Sequence, residues 1–387
     1  METIRRFFDL TGQSCFVLGP RGTGKTTWLR ALLPDALYLD LLDPALHRRL
    51  SGRPERLREI LDAAPRATHV VIDEIQRVPE LLSVIHAVLE APSPPTFVMT
   101  GSSARKLRRG AANLLGGRAA NRTLHPFMAA ELPEFDLTQS LEFGLLPLVC
   151  ASDEPSASLH AYASLYLEQE VQAEGLTRNL GAFARFLEAV SMTHAGQLNV
   201  AALARECEVE RKTVEAYLEI LEDLLLAFRL PVFQKRAKRR VAVHPKLYLF
   251  DAGVFRSLRP RGPLDSPNEM AGQALEGLVA QHLRAWAGYS RQRADIFYWR
   301  TRAGSEVDFV VYGDFGLQAI EVKNAERAHA SDLRGLKSFC DDYPEAMCAL
   351  LYRGEHRVRI DNIWCLPVDD FLRHLMPGEA PLAFVHE

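Results

Sequence analysis

Residues 14–33 read SCFVLGPRGTGKTTWLRALL. An apolar run, SCFVLG, leads into GPRGTGKT (Gly19–Thr26), a complete match to GxxxxGK[ST], and the chain leaves through TWLRALL at helical spacing. Strand, glycine-rich loop and helix, in that order, form the setting in which this pattern cradles phosphate. The glycines let backbone amides close around the anion, and the helix N-terminus adds partial positive charge. The reading assigns Gly19, Pro20, Arg21, Gly22, Thr23, Gly24, Lys25, Thr26 and Thr27 to a bound nucleotide. Lys25 is expected to reach the β- and γ-phosphates, and the Thr26 hydroxyl to ligate Mg²⁺.

Working outward, His69–Glu74 reads HVVIDE, an apolar strand closed by two acids. Asp73 is placed to bind Mg²⁺ through water, and Glu74 to polarise the attacking water, which favours hydrolysis over transfer to a second substrate. Thr96–Ser103, TFVMTGSS, is a strand ending in small hydroxyl residues. Thr100 or Ser102 there can sense the γ-phosphate; a tight glycine turn between strand and helix is the equal structural reading. No Asn-Lys-x-Asp sequence is present to select guanine, which leaves ATP as the nucleotide. The following stretch, ARKLRRGAANLLGGRAANR (Ala104–Arg122), is rich in arginine. An arginine donated across a subunit boundary can neutralise charge in phosphoryl transfer. Arg118 is the first candidate for it and Arg122 the second, and such a donation predicts a homo-oligomer, with a hexamer as one arrangement.

These motifs together resemble a known family. GPRGTGKT, VVIDEIQRVPEL, VMTGSSARKL and LLGGRAANRTLHPFMAAEL are similar to the AAA+-type ATPases of bacteria and archaea that carry a C-terminal domain of unknown function. The resemblance runs over nearly the whole chain. It implies an additional-strand P-loop core in which the sensor strand lies between the two phosphate-contacting strands.

The rest of the sequence sets the frame for that core. With 387 residues the chain has room for two or three domains, and 48% hydrophobic and 25% charged residues describe a folded globular protein. The first ~150 residues alternate short apolar runs with helical patterns, the mark of a parallel α/β sheet. Strands are predicted at Ser14–Gly19, Ala36–Asp40, His69–Asp73, Thr96–Thr100 and Arg122–His125. Breaks at Cys150–Ser158 and Arg259–Asn268 divide the chain into 1–150 (ATPase), 151–262 (helical lid and winged helix) and 263–387 (a nuclease-like α/β domain). The six cysteines fall in no CxxC pair and read as buried thiols of a reducing cytosol. The N-terminus lacks the pattern of a signal peptide, and no stretch approaches the ~18 apolar residues of a membrane span, so a cytoplasmic protein without membrane association is expected.

Lys and Arg (46) nearly balance Asp and Glu (49), so binding to DNA would need a local patch rather than bulk charge. Only 8 of the 46 cations are lysines, and Lys25 and Lys323 are the two that fall in chemical motifs. A patch is present in the middle of the chain. Asn199–Leu230 reads as two short helices about a turn at Glu208–Glu210, and QKRAKRR (Gln234–Arg240) places five cations in seven residues before a strand at Val241–Leu249. That order suggests a winged helix in which Arg211, Lys212, Lys235, Arg236, Lys238, Arg239 and Arg240 contact DNA phosphates. A lid with a solvated turn is the plainer alternative.

The C-terminal block combines Glu276 in a helix over Ala271–Trp286 with SEVDFVV (305–311) and AIEVKNA (319–325) on a hairpin. Glu321 and Lys323, two apart on a strand, share a face. Glu276, Asp308 and Glu321 are expected to hold Mg²⁺ or Mn²⁺, with Lys323 orienting water or offsetting phosphate charge. The set resembles the PD-(D/E)xK restriction-endonuclease-like fold, which implies cleavage of DNA or a fold kept for binding alone. Val307 stands where a proline often precedes the aspartate. IDNIWCL (360–366) reads as one further core strand. ATP-driven action on DNA is the expected function; a nucleotide-controlled switch and a protein-remodelling ATPase are the rivals.

Overall fold

The computed structural model describes residues 4–102, 115–166, 180–235, 243–262 and 265–386. Its chain forms two compact units, Met1–His125 with Asp223–Leu225, and Pro126–Glu222 with Leu226–Glu387. The predicted boundary at residue 150 lies inside the second unit, as does the one at residue 262.

In the first unit, apolar runs become the buried strands β1 (Cys15–Leu18), β3 (His69–Asp73) and β4 (Thr96–Gly101), flanked by the part-exposed β2 (Leu37–Asp40) and the polar edge strand β5 (Ala120–Thr123). They form one parallel sheet in the order β2-β3-β4-β1-β5. The sensor strand β4 thus lies between β3 and β1, as the resemblance implied. Phe16, Leu18, Val70, Ile72, Phe97 and Met99 are buried in one core beneath the helix Leu81–Leu89 and its neighbours. Strand β5 begins two residues before its predicted start, because Cys15 pairs with Ala120. The parallel sheet brings the carboxyl ends of β1, β3 and β4 side by side, where open α/β sheets bind ligands.

The second unit holds the helices Leu180–Met192, Val200–Glu206 and Arg211–Asp223 and a small antiparallel sheet in the order β6-β8-β7. Its strands are β6 (Gly196–Gln197), β7 (Ala227–Leu230) and β8 (Lys246–Leu249). The predicted strand Val241–Leu249 is therefore shorter among the described residues; Pro245, which lacks an N–H for the ladder, precedes its start. Beyond it the helix Pro267–Tyr289 leads to β9 (Ala294–Arg300), β10 (Glu306–Gly313), β11 (Gly316–Lys323), β12 (Met347–Tyr352), β13 (Val358–Ile360) and β14 (Ile363–Pro367). These make a mixed sheet ordered β13-β14-β12-β11-β10-β9, antiparallel through β9, β10 and β11 and parallel from β11 through β12 to β14. IDNIWCL is not one strand but a hairpin. Asp361 (φ 49°) and Asn362 (φ 65°) both adopt left-handed backbone, as a two-residue type I′ turn requires.

The small sheet is sewn to the large one. Phe233 N–H donates to Tyr298 O (2.7 Å), Tyr298 N–H to Pro231 O (3.0 Å), and Gln197 Nε2 to the Tyr298 hydroxyl (3.0 Å). All six cysteines are free thiols; four are buried, Cys340 is half-buried and Cys150 is exposed, against the expectation that all are buried.

Candidate functional site

The glycine-rich loop runs from the end of β1 into the helix Lys25–Leu32, with Gly24 at its N-cap in left-handed backbone (φ 80°). A side chain on Gly19 would meet Leu124 O at 2.5 Å, so the loop's first turn is closed to any larger residue. Thr23, fully buried, donates its hydroxyl to Pro20 O (2.8 Å) and pins the loop. Lys25 is buried, and its ammonium donates to the carbonyls of Gly19 (2.8 Å) and Pro20 (3.2 Å) at the site's floor. Pro20 is buried, whereas Arg21 and Thr27 are exposed at the rim.

The acids at the end of β3 meet this loop as the sequence predicts. The Thr26 hydroxyl donates to Asp73 Oδ2 at 2.6 Å, joining residues 47 apart in sequence. Thr100 donates to the other Asp73 oxygen, and its hydroxyl accepts the Glu74 N–H at 3.1 Å. Both lone-pair sets of the Asp73 carboxylate are thereby oriented before any ligand is present. Glu74 adopts φ 58°, a left-handed backbone that a non-glycine residue pays to hold and that clusters at functional sites.

One group here carries no signal in the motif. Gln76, buried two residues past Glu74, donates Nε2 to the Glu74 carboxylate and to the Ser102 hydroxyl (3.3 Å). A Cβ on Gly101 would meet Gln76 Oε1 at 2.6 Å, so the glycine after Thr100 makes room for this amide. Ser102 therefore reaches the site through Gln76. Among the arginines, Arg118 is 43% exposed and paired with Glu90 at the surface, while the Arg122 guanidinium lies over the Phe8 ring, 5.3 Å from its centroid. Arg105, Lys106, Arg108 and Arg109 lie outside the described residues.

The C-terminal acids also converge, on a partner the sequence reading did not assign. Lys246, the first residue of β8, is buried with 3% of its surface exposed. Its ammonium lies 2.8 Å from Glu276 Oε1, 2.6 Å from Glu306 Oε1 and 2.9 Å from Asp308 Oδ1. Its N–H groups donate to Glu276 and Asp308, and Glu306 is an ion-pair partner. Tyr248 OH adds a second donor to Glu276 Oε1 (2.6 Å), Val322 N–H donates to Asp308 Oδ2 (3.0 Å), and Arg300 pairs with the other Glu306 oxygen (2.7 Å). Lys323 donates to Glu321 Oε1 at 2.5 Å, while Glu321 Oε2 is buried without a hydrogen-bond partner.

Charge explains the titration of this cluster. Burial alone would push the Lys246 ammonium down, but Asp308, Glu276 and Glu306 outweigh it and hold the ammonium charged well above its ordinary range. Four carboxylates (Glu276, Glu306, Asp308, Glu321) face three cations (Lys246, Arg300, Lys323), one positive charge short. Burial and the neighbouring Asp308 push Glu321 up to about 8 and Glu276 up to about 7.

The acids are brought together partly by a bulge. Between β9 and β10 the register shifts between Val307 and Val310, adding one residue to β10 at Asp308–Phe309. Glu306 and Asp308, two apart, still share the face turned to Lys246. Among the described residues, no group of three or more His, Cys, Asp or Glu side chains is disposed to hold a metal ion. Of the expected metal set of Glu276, Asp308 and Glu321, the first two have the Lys246 ammonium between them. A lysine heading the apolar run KLYLF was the available signal, since a lysine buried in a strand needs acidic partners.

Of the basic patch, Arg211 and Lys212 are exposed at the start of the helix Arg211–Asp223, and Lys235 is exposed with its ammonium 4.0 Å from the Tyr312 ring centroid. Arg236, Lys238, Arg239 and Arg240 lie outside the described residues.

Comparison with known families divides the chain in three. Residues 11–133 match the model of an AAA domain, residues 134–265 a domain of unknown function (DUF8612), and residues 271–371 a second domain of unknown function (DUF4143). With the phosphate loop and the parallel sheet, these matches make the first unit an AAA domain, a class that suggests nucleotide binding and hydrolysis, followed by two domains of unknown function. The chain is 27% identical over 365 residues to the uncharacterised proteins Rv2008c of Mycobacterium tuberculosis and Mb2031c of Mycobacterium bovis, covering 92% of this chain and 80% of each relative. Among solved structures, protein VC1899 from Vibrio cholerae matches at 13% identity over 88% of this chain and 96% of its own, with a TM-score of 0.22, too low to carry an argument. No helix among the described residues is long and apolar enough to cross a membrane.

Proposed function

We propose that the chain is an ATP-hydrolysing AAA motor that acts on DNA, with a nuclease-like C-terminal domain attached. The observation that carries the ATPase reading is the hydrogen bond from Thr26 to Asp73, fixed from the other side by Thr100. These residues fit Mg²⁺: Thr26 and Asp73 would hold the ion, which would supply neutralisation of phosphate charge. Lys25 would bind the phosphates in the loop, and Glu74, tied to Gln76, would take up the proton of the attacking water. Glu74→Gln should keep ATP affinity within a few-fold while hydrolysis falls by ~10²–10⁴. Equal turnover by variant and parent would remove Glu74 from that role.

The exposed position of Arg118 supports a trans-acting arginine in a homo-oligomer. Arg118→Ala should then lose hydrolysis but not nucleotide binding, and mixing it with Lys25→Ala should restore part of the activity. The DNA reading is supported by the exposed pair Arg211 and Lys212 on one helix end and by the run through Lys235, Arg236, Lys238, Arg239 and Arg240. Each cation lost should flatten the slope of log affinity against log salt by ~0.9 on duplex DNA. The nuclease-like reading rests on Asp308 and Glu321 on adjacent antiparallel strands beside Glu276 of a long helix. A second reading, an ATP-dependent switch or protein-remodelling ATPase without DNA cleavage, is favoured by one observation: Lys246 occupies the acidic centre.

A further inference from the structure

The acidic centre of the second unit is filled from within. Lys246 comes from the small sheet, on β8, while Glu276 comes from the helix Pro267–Tyr289 and Glu306 and Asp308 from β10. The three oxygens nearest its ammonium, at 2.6–2.9 Å, are those a compact cation would use. A Mg²⁺ ion needs carboxylate oxygens at about 2.0–2.1 Å in octahedral array, and an ammonium at the centre of the same oxygens leaves it no place.

We infer that Lys246 is the resident cation of the C-terminal acidic centre and keeps divalent metal out of it, so that metal enters only when this ammonium leaves.

Two further observations point the same way. Glu321 Oε2, on a side chain 92% buried, has no hydrogen-bond partner, so this acid is not fully satisfied by Lys323. The charges also balance for exchange. With Lys246 present, four carboxylates face three positive charges; with a divalent ion in its place, four face four. The ammonium thus stands where a metal ion among these oxygens would have to stand.

The inference rests on reading these acids as a latent divalent-metal centre. The test is titration of the full chain, without nucleotide, with Mn²⁺ alone, reading free Mn²⁺ by electron paramagnetic resonance. Binding at the centre is defined as the part lost on Asp308→Asn. Wild type should show no such binding up to millimolar Mn²⁺. Lys246→Met should gain one Asp308-dependent Mn²⁺ per chain, at least 100-fold tighter than any wild-type binding there. Should Lys246→Met fail to fold, Lys246→Met with Glu306→Gln, which removes one acid along with the cation, gives the same readout. Asp308-dependent Mn²⁺ binding by wild type as tight as by the variant would overturn the inference and leave the metal-centre reading standing. Absence of such binding in wild type and in both variants would overturn that reading, and the inference with it.

Discussion

The phosphate loop and the acidic centre both gather carboxylates and a lysine, and they use them in opposite ways. At the loop, Lys25 donates to the carbonyls of Gly19 and Pro20, and Asp73 accepts from the hydroxyls of Thr26 and Thr100. In the acidic centre, Lys246 is itself the counter-ion, within 2.9 Å of three carboxylates. The first arrangement shapes a phosphate loop; the second neutralises a cluster of acids. A lysine within an acidic constellation is therefore not evidence of catalysis until its partners are known.

The largest effect that would sharpen this contrast is on stability. Lys246→Ala leaves buried Asp308 and part-buried Glu276 without their ammonium, with Glu306 keeping only Arg300, and breaking such a set costs about 3–5 kcal/mol. Lys323→Ala removes a cation that is 39% exposed, where solvent screens the pair, and should cost about 1 kcal/mol or less. Thermal melts of the two variants check the ratio. Similar losses would mean that the two lysines do the same work.

Next in size is the response to acid. His282 Nε2 accepts the Ala129 N–H (2.9 Å) and its Nδ1 donates to Leu278 O (2.8 Å), so the buried ring must stay neutral. Burial pushes its pKa from 6.5 down to about 4, and that of His194 down to about 3. A depressed base contributes stability that is present above pH 6.5 and lost as pH falls, and His282 alone accounts for roughly 3 kcal/mol between pH 6.5 and 4. Buried Asp251, pushed up from 3.8 to about 6, acts in the opposite sense, its contribution being full below 3.8 and lost as pH rises through 6. Glu276 and Glu321, pushed up to about 7 and about 8, act in the same sense as Asp251, so the net pH dependence of the second unit is a balance between these acids and the two histidines. His282→Gln removes one destabilising term, so the melting temperature at pH 4.5 relative to pH 7 should be higher in the variant than in wild type. An unchanged difference in the variant would place the acid sensitivity elsewhere.

A smaller effect is expected at the loop. Thr100→Val removes the hydroxyl that joins Asp73 to the Glu74 backbone, and the hydrolysis rate should fall roughly ten-fold, the equivalent of one hydrogen bond of about 1.4 kcal/mol. Steady-state turnover with ATP affinity measured in parallel checks it. A drop in affinity with turnover intact would make Thr100 a binding residue.

The difference between the centres also decides what could be read from sequence. The loop's chemistry is local: Gly19–Thr26 is contiguous, and Asp73 and Glu74 end a strand whose parallel neighbours follow from alternating apolar runs. Gln76 escaped because its role depends on a side chain turning back past left-handed Glu74 onto Ser102. In the second unit, Glu276, Asp308, Glu321 and Lys323 were visible as a motif on predicted elements. Lys246 was not, because its partners lie 30 and 62 residues away and meet it only after β8 packs on the large sheet. The β10 bulge at Asp308–Phe309 has no signature in SEVDFVV, and Asp361-Asn362 was absorbed into a strand because its flanks are apolar.

The account's central claim is that one of these centres is open to a divalent ion and the other is closed by its own lysine. Counting Mn²⁺ bound per wild-type chain with saturating ATP tests it most directly. One equivalent, lost on Asp73→Asn and unchanged on Asp308→Asn, is the predicted result; a second equivalent that disappears on Asp308→Asn would contradict it.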